Sequence, residues 1–114
     1  MKRGDIVTAS AGSGYAGKPR PVLIIQDEAL AALDSVVVCP LTSVPHEESI
    51  LRPLVAATAT TGLEVDSLVM TDKVVAVPRH KLGHVVGRID PATLRKVMRG
   101  LGTVIGLGRG SPVS

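Results

Sequence analysis

The 114-residue chain contains no Trp and no Phe, and Tyr15 is its only aromatic residue. A core must therefore be built from Val, Leu, Ile, Ala and Met, and the aromatic platforms on which many single-strand binders stack bases are almost unavailable. Any contact with nucleic acid would rest on charge and hydrogen bonds. Cys39 is the only cysteine, which excludes an internal disulfide framework and a cysteine-based zinc site. No apolar run exceeds four or five residues, far short of the ~20 that a membrane span needs. The start Met1-Lys2-Arg3-Gly4-Asp5 leads into no apolar secretory region. These absences lead to the expectation of a soluble, cytoplasmic protein with no membrane association. The length suits one domain and is too short for a two-domain enzyme. We place that domain at residues 1–108, with 109–114 as a disordered tail.

Charge is present but unevenly spread. Residues 1–20 carry four Lys or Arg against Asp5, a balance of +3. Residues 21–72 carry only Arg52 against eight acids, −7, and residues 73–114 carry eight basic residues against Asp90, +7. The modest total of +3 thus conceals two basic ends. Such asymmetry points towards a polyanionic partner, although solvated basic ends would produce the same count.

Short strands come first and a helix last. Asp5–Ala9 is a strand candidate, and the apolar, β-branched runs Pro21–Gln26 and Ser35–Leu41 read as strands covered on both faces. Asp27–Asp34, between them, is a helical turn or a surface loop. Further strands are expected at Ile50–Ala57, Ser67–Thr71, Lys73–Val77 and His84–Ile89, separated by Gly62, Asp72 and the Pro78–Gly83 turn. From Asp90, an N-cap acid and Pro91 introduce Leu94, Val97, Met98, Leu101, Val104 and Ile105 at helical spacing, with Arg95, Lys96 and Arg99 on the wet face. Gly100, Gly102 and Gly106 weaken this helix by about 1 kcal/mol each relative to Ala, so it needs tertiary packing and ends near Gly106 or Gly108. The expected fold is mostly β with α, a small SH3-like barrel of antiparallel strands closed by a C-terminal amphipathic helix.

Gly12-Ser13-Gly14-Tyr15-Ala16-Gly17-Lys18 matches two phosphate-loop patterns. Both work only where a helix begins at the loop, because the helix amides bind the phosphates. Here Lys18-Pro19-Arg20-Pro21 forces an extended chain, and Pro19 stands where the phosphate loop needs Ser or Thr. A loop carrying basic residues is the better reading. Arg20, at the entrance to an apolar strand with Lys18 nearby, suits a fixed fork for phosphate, or is an ordinary surface arginine. Thr42 and Ser43, at the exit of the next strand, offer hydroxyls to a phosphate or begin a turn. Asp66-Ser67 and Asp72-Lys73 flank a later strand in the same way, each acid a base or a turn residue. His46, His80 and His84 form no metal constellation, since Pro78 and Gly83 break any helix that would align the last two.

The order of these segments resembles the MazF/PemK family. Carrying the resemblance are Lys2–Val7, Gly17–Gln26 with its Arg-Pro-Val-Leu-Ile-Ile core, Val37–Ser43, Gly62-Leu63, Asp66-Ser67, Val69–Asp72, Leu82-Gly83 and the closing helix to Leu107. It implies a cytoplasmic, homodimeric toxin of a type II toxin–antitoxin pair that cuts single-stranded RNA, mostly mRNA, at short sequences without a metal or other cofactor. It also implies an antitoxin whose disordered acidic tail occupies the RNA groove, and DNA binding together with that antitoxin. The family chemistry has the 2′-hydroxyl attack the adjacent phosphate, leaving a 2′,3′-cyclic phosphate and a 5′-hydroxyl.

Carried over residue by residue, Arg20 matches the catalytic arginine and Thr42 the catalytic threonine. Asp72 matches an acidic position, a candidate base or base-reading acceptor. Lys18, Arg20, Ser43, Ser67, Lys73 and Arg79 are the implied RNA contacts. Two departures stand out: Met70 occupies a position where some members carry an arginine paired with that acid, and the first loop lacks a histidine found in some members. Arg20 with Thr42 is therefore the minimal site. Two alternatives keep the same fold, a non-catalytic nucleic-acid-binding barrel and a toxin directed at gyrase.

Overall fold

The computed structural model describes residues 1–10, 18–43 and 47–108. The glycine-rich motif, His46 and the 109–114 tail thus lie wholly or mostly outside the described residues. Seven strands form one antiparallel sheet: β1 Asp5–Ala9, β2 Arg20–Ile24, β3 Ser35–Thr42, β4 Leu54–Val55, β5 Ser67–Val69, β6 Val75–Pro78 and β7 Leu82–Arg88. They run in the order β4-β5-β3-β2-β1-β7, with β6 also paired to β3. The expected small barrel takes the form of a curled half-barrel carrying one helix, α1 Pro91–Val104.

Period-two alternation explains how the apolar runs are used. In β2 and β3, Leu23 and Cys39 face one side of the sheet, where they join Ile6, Val55, Val69, Val97 and Leu101 in a core under α1. Val22, Ile24, Val36 and Val38 face the other, where Val7 and Ala9 complete a second cluster. Both faces are dry, as the continuous apolar runs imply.

The long strand β3 serves three partners. One edge pairs with β2 through Val22↔Pro40, Leu23↔Cys39 and Ile24↔Val38. Along its other edge, Ser35–Val38 pair with β6 and Leu41 and Thr42 pair with β5. The chain between β5 and β6 bulges outward as a 3₁₀ turn at Thr71–Lys73, tied back by a hydrogen bond from the Met70 amide to the Pro40 carbonyl at 2.9 Å. For this reason the strands expected at Ser67–Thr71 and Lys73–Val77 are shorter or shifted.

The strand expected at Ile50–Ala57 contracts to Leu54–Val55. Ser49 and Arg52 exchange backbone hydrogen bonds in a tight turn, Pro53 has no amide hydrogen to give, and the Ala57 amide donates to the Asp66 carboxylate at 2.7 Å. Asp27–Asp34 resolves into a 3₁₀ turn at Glu28–Leu30, capped by Asp27.

Helix α1 begins as its sequence dictates, with the Asp90 carboxylate accepting the Thr93 amide at 2.6 Å and Pro91 in the first turn. Val97 and Leu101 are buried and Leu94 packs against the core, whereas Met98, Val104 and Ile105 are exposed. The apolar stripe in the sequence is thus broader than the face the sheet covers. Gly100 is not a weak point but a contact: a Cβ there would lie 2.6 Å from the Ile50 carbonyl oxygen and just over 3 Å from the Thr71 side chain. Thr71 is itself fully buried, its hydroxyl donating to the Leu51 carbonyl at 2.6 Å.

Candidate functional site

Arg20 precedes Pro21 and follows Pro19, so its backbone is held extended from both directions and it opens β2. The β2–β3 register, continued outward by two residues from Val22↔Pro40, sets Arg20 across from Thr42. On their outer sides Arg20 pairs with Ala9 and Thr42 with Leu68. Side chains in one cross-strand row share a face, so the cation and the hydroxyl fall on the same side of the sheet. Arg20 is exposed and Thr42 half-buried.

A cleft of about 690 Å³ opens at this end of the two strands, lined by Arg20 and Pro21 of β2 and Leu41 and Thr42 of β3. Lys18, Arg20, Thr42, Ser43 and Ser67, five of the residues singled out from sequence, line it together. Lys18 and Ser43 are exposed at its rim. Ser67 is buried, and its hydroxyl donates to the Val65 carbonyl at 3.1 Å, so it shapes the wall at Val65.

Asp72, Lys73 and Arg79 do not line the cleft. Asp72 sits on the outward 3₁₀ turn, where both carboxylate oxygens accept from the Arg52 guanidinium at 3.1 and 3.0 Å. That hydrogen-bonded pairing, aided by the charges of Arg52 and Lys73, holds the Asp72 carboxyl below its ordinary range. A carboxylate so engaged is a weaker base than a free one. Arg79 stands just past β6, at the Ser35 end of β3, where its guanidinium donates to the Leu33 carbonyl at 3.2 and 2.9 Å. Seven residues of β3, roughly 23 Å at ~3.3 Å per residue, separate that end from Thr42.

The other candidates resolve into structural roles or open surface. Asp66 is occupied by the Ala57 amide. His80 and His84 are exposed, and among the described residues no three His, Cys, Asp or Glu side chains group to hold a metal ion. Nor is any helix among them long and apolar enough to cross a membrane.

Sequence reasoning missed Thr8, Glu64, Val65 and Val86, which line the cleft, and noted Leu63 and Met70, which also line it, only for the resemblance. It also missed Arg52 as the partner of Asp72, although a lone cation among eight acids in residues 21–72 was a visible signal.

The chain is thus a small curled antiparallel half-barrel with one C-terminal helix, with a cation and a hydroxyl on neighbouring strand ends at an open cleft. Residues 2–105 match the family described as the PemK-like, MazF-like toxin of type II toxin–antitoxin systems, and the chain belongs to that family. It is 45% identical over 107 residues to a probable endoribonuclease MazF of Mycolicibacterium smegmatis, covering 94% of this chain and 98% of that one. Among solved structures it is similar to the Mycobacterium tuberculosis toxin MazF-mt6, with a TM-score of 0.76, 26% identity and coverage of 90% of this chain and 97% of that chain. A mycobacterial endoribonuclease solved in complex with its cognate antitoxin is comparably close, with a TM-score of 0.74, 25% identity and coverage of 100% and 99%.

Proposed function

We propose that this chain is an endoribonuclease toxin that cuts single-stranded RNA, with Arg20 and Thr42 as its minimal catalytic pair. The observation that carries the reading is their placement in one cross-strand row at the cleft, with Lys18 and Ser43 beside them. In the reaction, a bond forms between the 2′-oxygen and the adjacent phosphorus while the bond to the 5′-oxygen breaks. One proton leaves the 2′-hydroxyl and one reaches the departing 5′-oxygen.

A guanidinium of pKa above ~12 is a poor proton donor, so Arg20 contributes chiefly by stabilising the charge that builds on the phosphorane oxygens. The Thr42 hydroxyl, directly across from it, donates to the same group. Lys18 and Ser43 hold the phosphate at the rim. Asp72 serves from outside the cleft, bracing the turn after Met70 through Arg52. Lys73 and Arg79 lie outside the cleft and do not touch the scissile phosphate.

Similarity to an endoribonuclease solved in complex with its cognate antitoxin supports a further part of the proposal. This chain works in the cytoplasm as a homodimer, and a small acidic antitoxin with a disordered tail occupies the same cleft. Incubation with mixed-sequence single-stranded RNA in EDTA, followed by end-group analysis, tests the reading. Expected are cuts leaving a 2′,3′-cyclic phosphate and a 5′-hydroxyl, reduced about 10²–10³-fold in Arg20→Ala. Intact RNA in the presence of folded protein would overturn the proposal.

A further inference from the structure

Glu64 is the only carboxylate that lines the cleft among the described residues. Residues 11–17 and 44–46 contain no Asp or Glu. Asp66 and Asp72, the acids singled out from sequence, are each committed to structural partners. Glu64 is exposed, and among the described residues it makes no hydrogen bond or ion pair.

Its backbone is nevertheless held in place. Just before it, the Thr61 hydroxyl donates to the Ala56 carbonyl at 2.8 Å and accepts from the Thr58 amide at 3.0 Å. Gly62 then turns with φ of 70°, pressed so closely on Val86 that a Cβ would lie 2.1 Å from its carbonyl oxygen. Just after it, Ser67 holds the Val65 carbonyl. Glu64 thus lines the cleft from a fixed wall, between half-buried Leu63 and exposed Val65, and the other charged lining groups among the described residues are Lys18 and Arg20.

A carboxylate repels phosphate, so in an RNA-binding cleft its partner is a base edge. Single-stranded bases present their Watson–Crick edges freely. Guanine offers two parallel donors there, N1–H and the N2 amino group, which match the two carboxylate oxygens. Uracil has one donor flanked by two carbonyl oxygens, and adenine and cytosine each place an acceptor nitrogen beside their amino group. With no aromatic residue among the described lining residues, Leu63 and Val65 supply the apolar surface against the base plane.

The geometry points to Glu64 as a specificity-determining residue that selects guanine at one position of the bound RNA. This rests on the ribonuclease reading above, and the test separates the two. Cleavage of a randomised RNA pool identifies the preferred position, and binding of non-cleavable 2′-O-methyl oligonucleotides carrying guanine or inosine is then measured for the wild type and Glu64→Gln. Inosine lacks the N2 amino group. The wild type is expected to enrich guanine at one position beside the cut and to bind guanine over inosine there by about tenfold, one charge-assisted hydrogen bond. Glu64→Gln is expected to lose both preferences, with cuts redistributed to sites lacking guanine and an unchanged unfolding midpoint. A guanine preference that persists in Glu64→Gln, its absence from the wild type, or uniform loss of cutting with guanine-selective binding intact would overturn the inference. A wild type that binds but never cuts would refute the ribonuclease reading instead, and the guanine-against-inosine comparison would still decide the role of Glu64.

Discussion

Gly100 and Gly102 lie two residues apart in α1 and carry the same helix propensity, yet their replacement by Ala should move stability in opposite directions. At Gly102 a Cβ would meet only the Leu107 side chain, at 3.7 Å, an ordinary contact. There the propensity gain of about 1 kcal/mol is realised. At Gly100 the same Cβ would stand 2.6 Å from the Ile50 carbonyl oxygen, well inside the 3.4 Å at which ordinary contact begins. Relief requires the helix to back away from the Ile50–Leu51 segment, or Thr71 to give up its 2.6 Å bond to the Leu51 carbonyl. Overpacking of this kind costs ~1–3 kcal/mol, and a buried hydroxyl left without its partner a further ~1–3 kcal/mol. Set against the propensity gain, Gly100→Ala should be destabilising by about 1–5 kcal/mol. Urea denaturation of both variants, with unchanged slopes, should show midpoints displaced to either side of the wild type. A Gly100→Ala protein stabilised as much as Gly102→Ala would refute the close approach of α1 to the turn at Thr71.

Burial, with a smaller contribution from Asp72, pushes the Cys39 thiol up to about 12. Alkylating reagents at pH 8 should label it only as fast as the protein unfolds, and prompt labelling of the native protein would contradict its burial. The folded state favours the neutral thiol, so its stabilising contribution is complete below the ordinary thiol pKa of ~8.5 and is lost as pH rises towards 12; Cys39→Ala should flatten that alkaline slope. The Asp72 carboxyl is shifted down by Arg52, so its contribution is present above the ordinary ~3.9 and lost as pH falls through its lower folded value. Asp72→Asn should remove that acid limb from a stability–pH profile, and adding Arg52→Ala to it should change little more. Affinity for a non-cleavable single-stranded RNA should fall with salt, and Lys18→Ala should lower the logarithmic slope by about 0.7. Arg79→Ala, at the far end of β3, should leave the slope as it is, and an equal drop there would put RNA across a different face.

Much of the sheet was legible because its central strands are simple. Residues 5–9 and 35–41 carry enough Val and Ile to be strands in any register, and the paired prolines around Arg20 fix where β2 begins. The edges were not legible in the same way. Whether Ile50–Ala57 could extend as a strand depended on Asp66 taking the Ala57 amide and on Ser49 closing a turn with Arg52. Both are partners distant in the chain or set by the turn itself, and no propensity records them. The glycines misled for a related reason. Propensity counts Gly100 as a loss, while the packing of α1 on Thr71 leaves no room for anything larger.

For the site, a local pattern found the residues that local structure positions. Arg20 and Thr42 are placed by strand ends, and strand ends can be read from proline and β-branched runs; register then makes them neighbours without any further information. The acids required more. Asp66, Asp72 and Glu64 are equally plausible in a list of carboxylates, and what separates them is which one finds a hydrogen-bond donor elsewhere in the fold. Asp66 finds the Ala57 amide and Asp72 the Arg52 guanidinium, so each is held to the scaffold. Glu64 finds none among the described residues and stands in the cleft, with its carboxylate left to recognise what enters. The division of labour among three carboxylates within nine residues is thus set by the donors the fold brings to them, and a carboxylate's availability for recognition follows from the structural bonds it does not make.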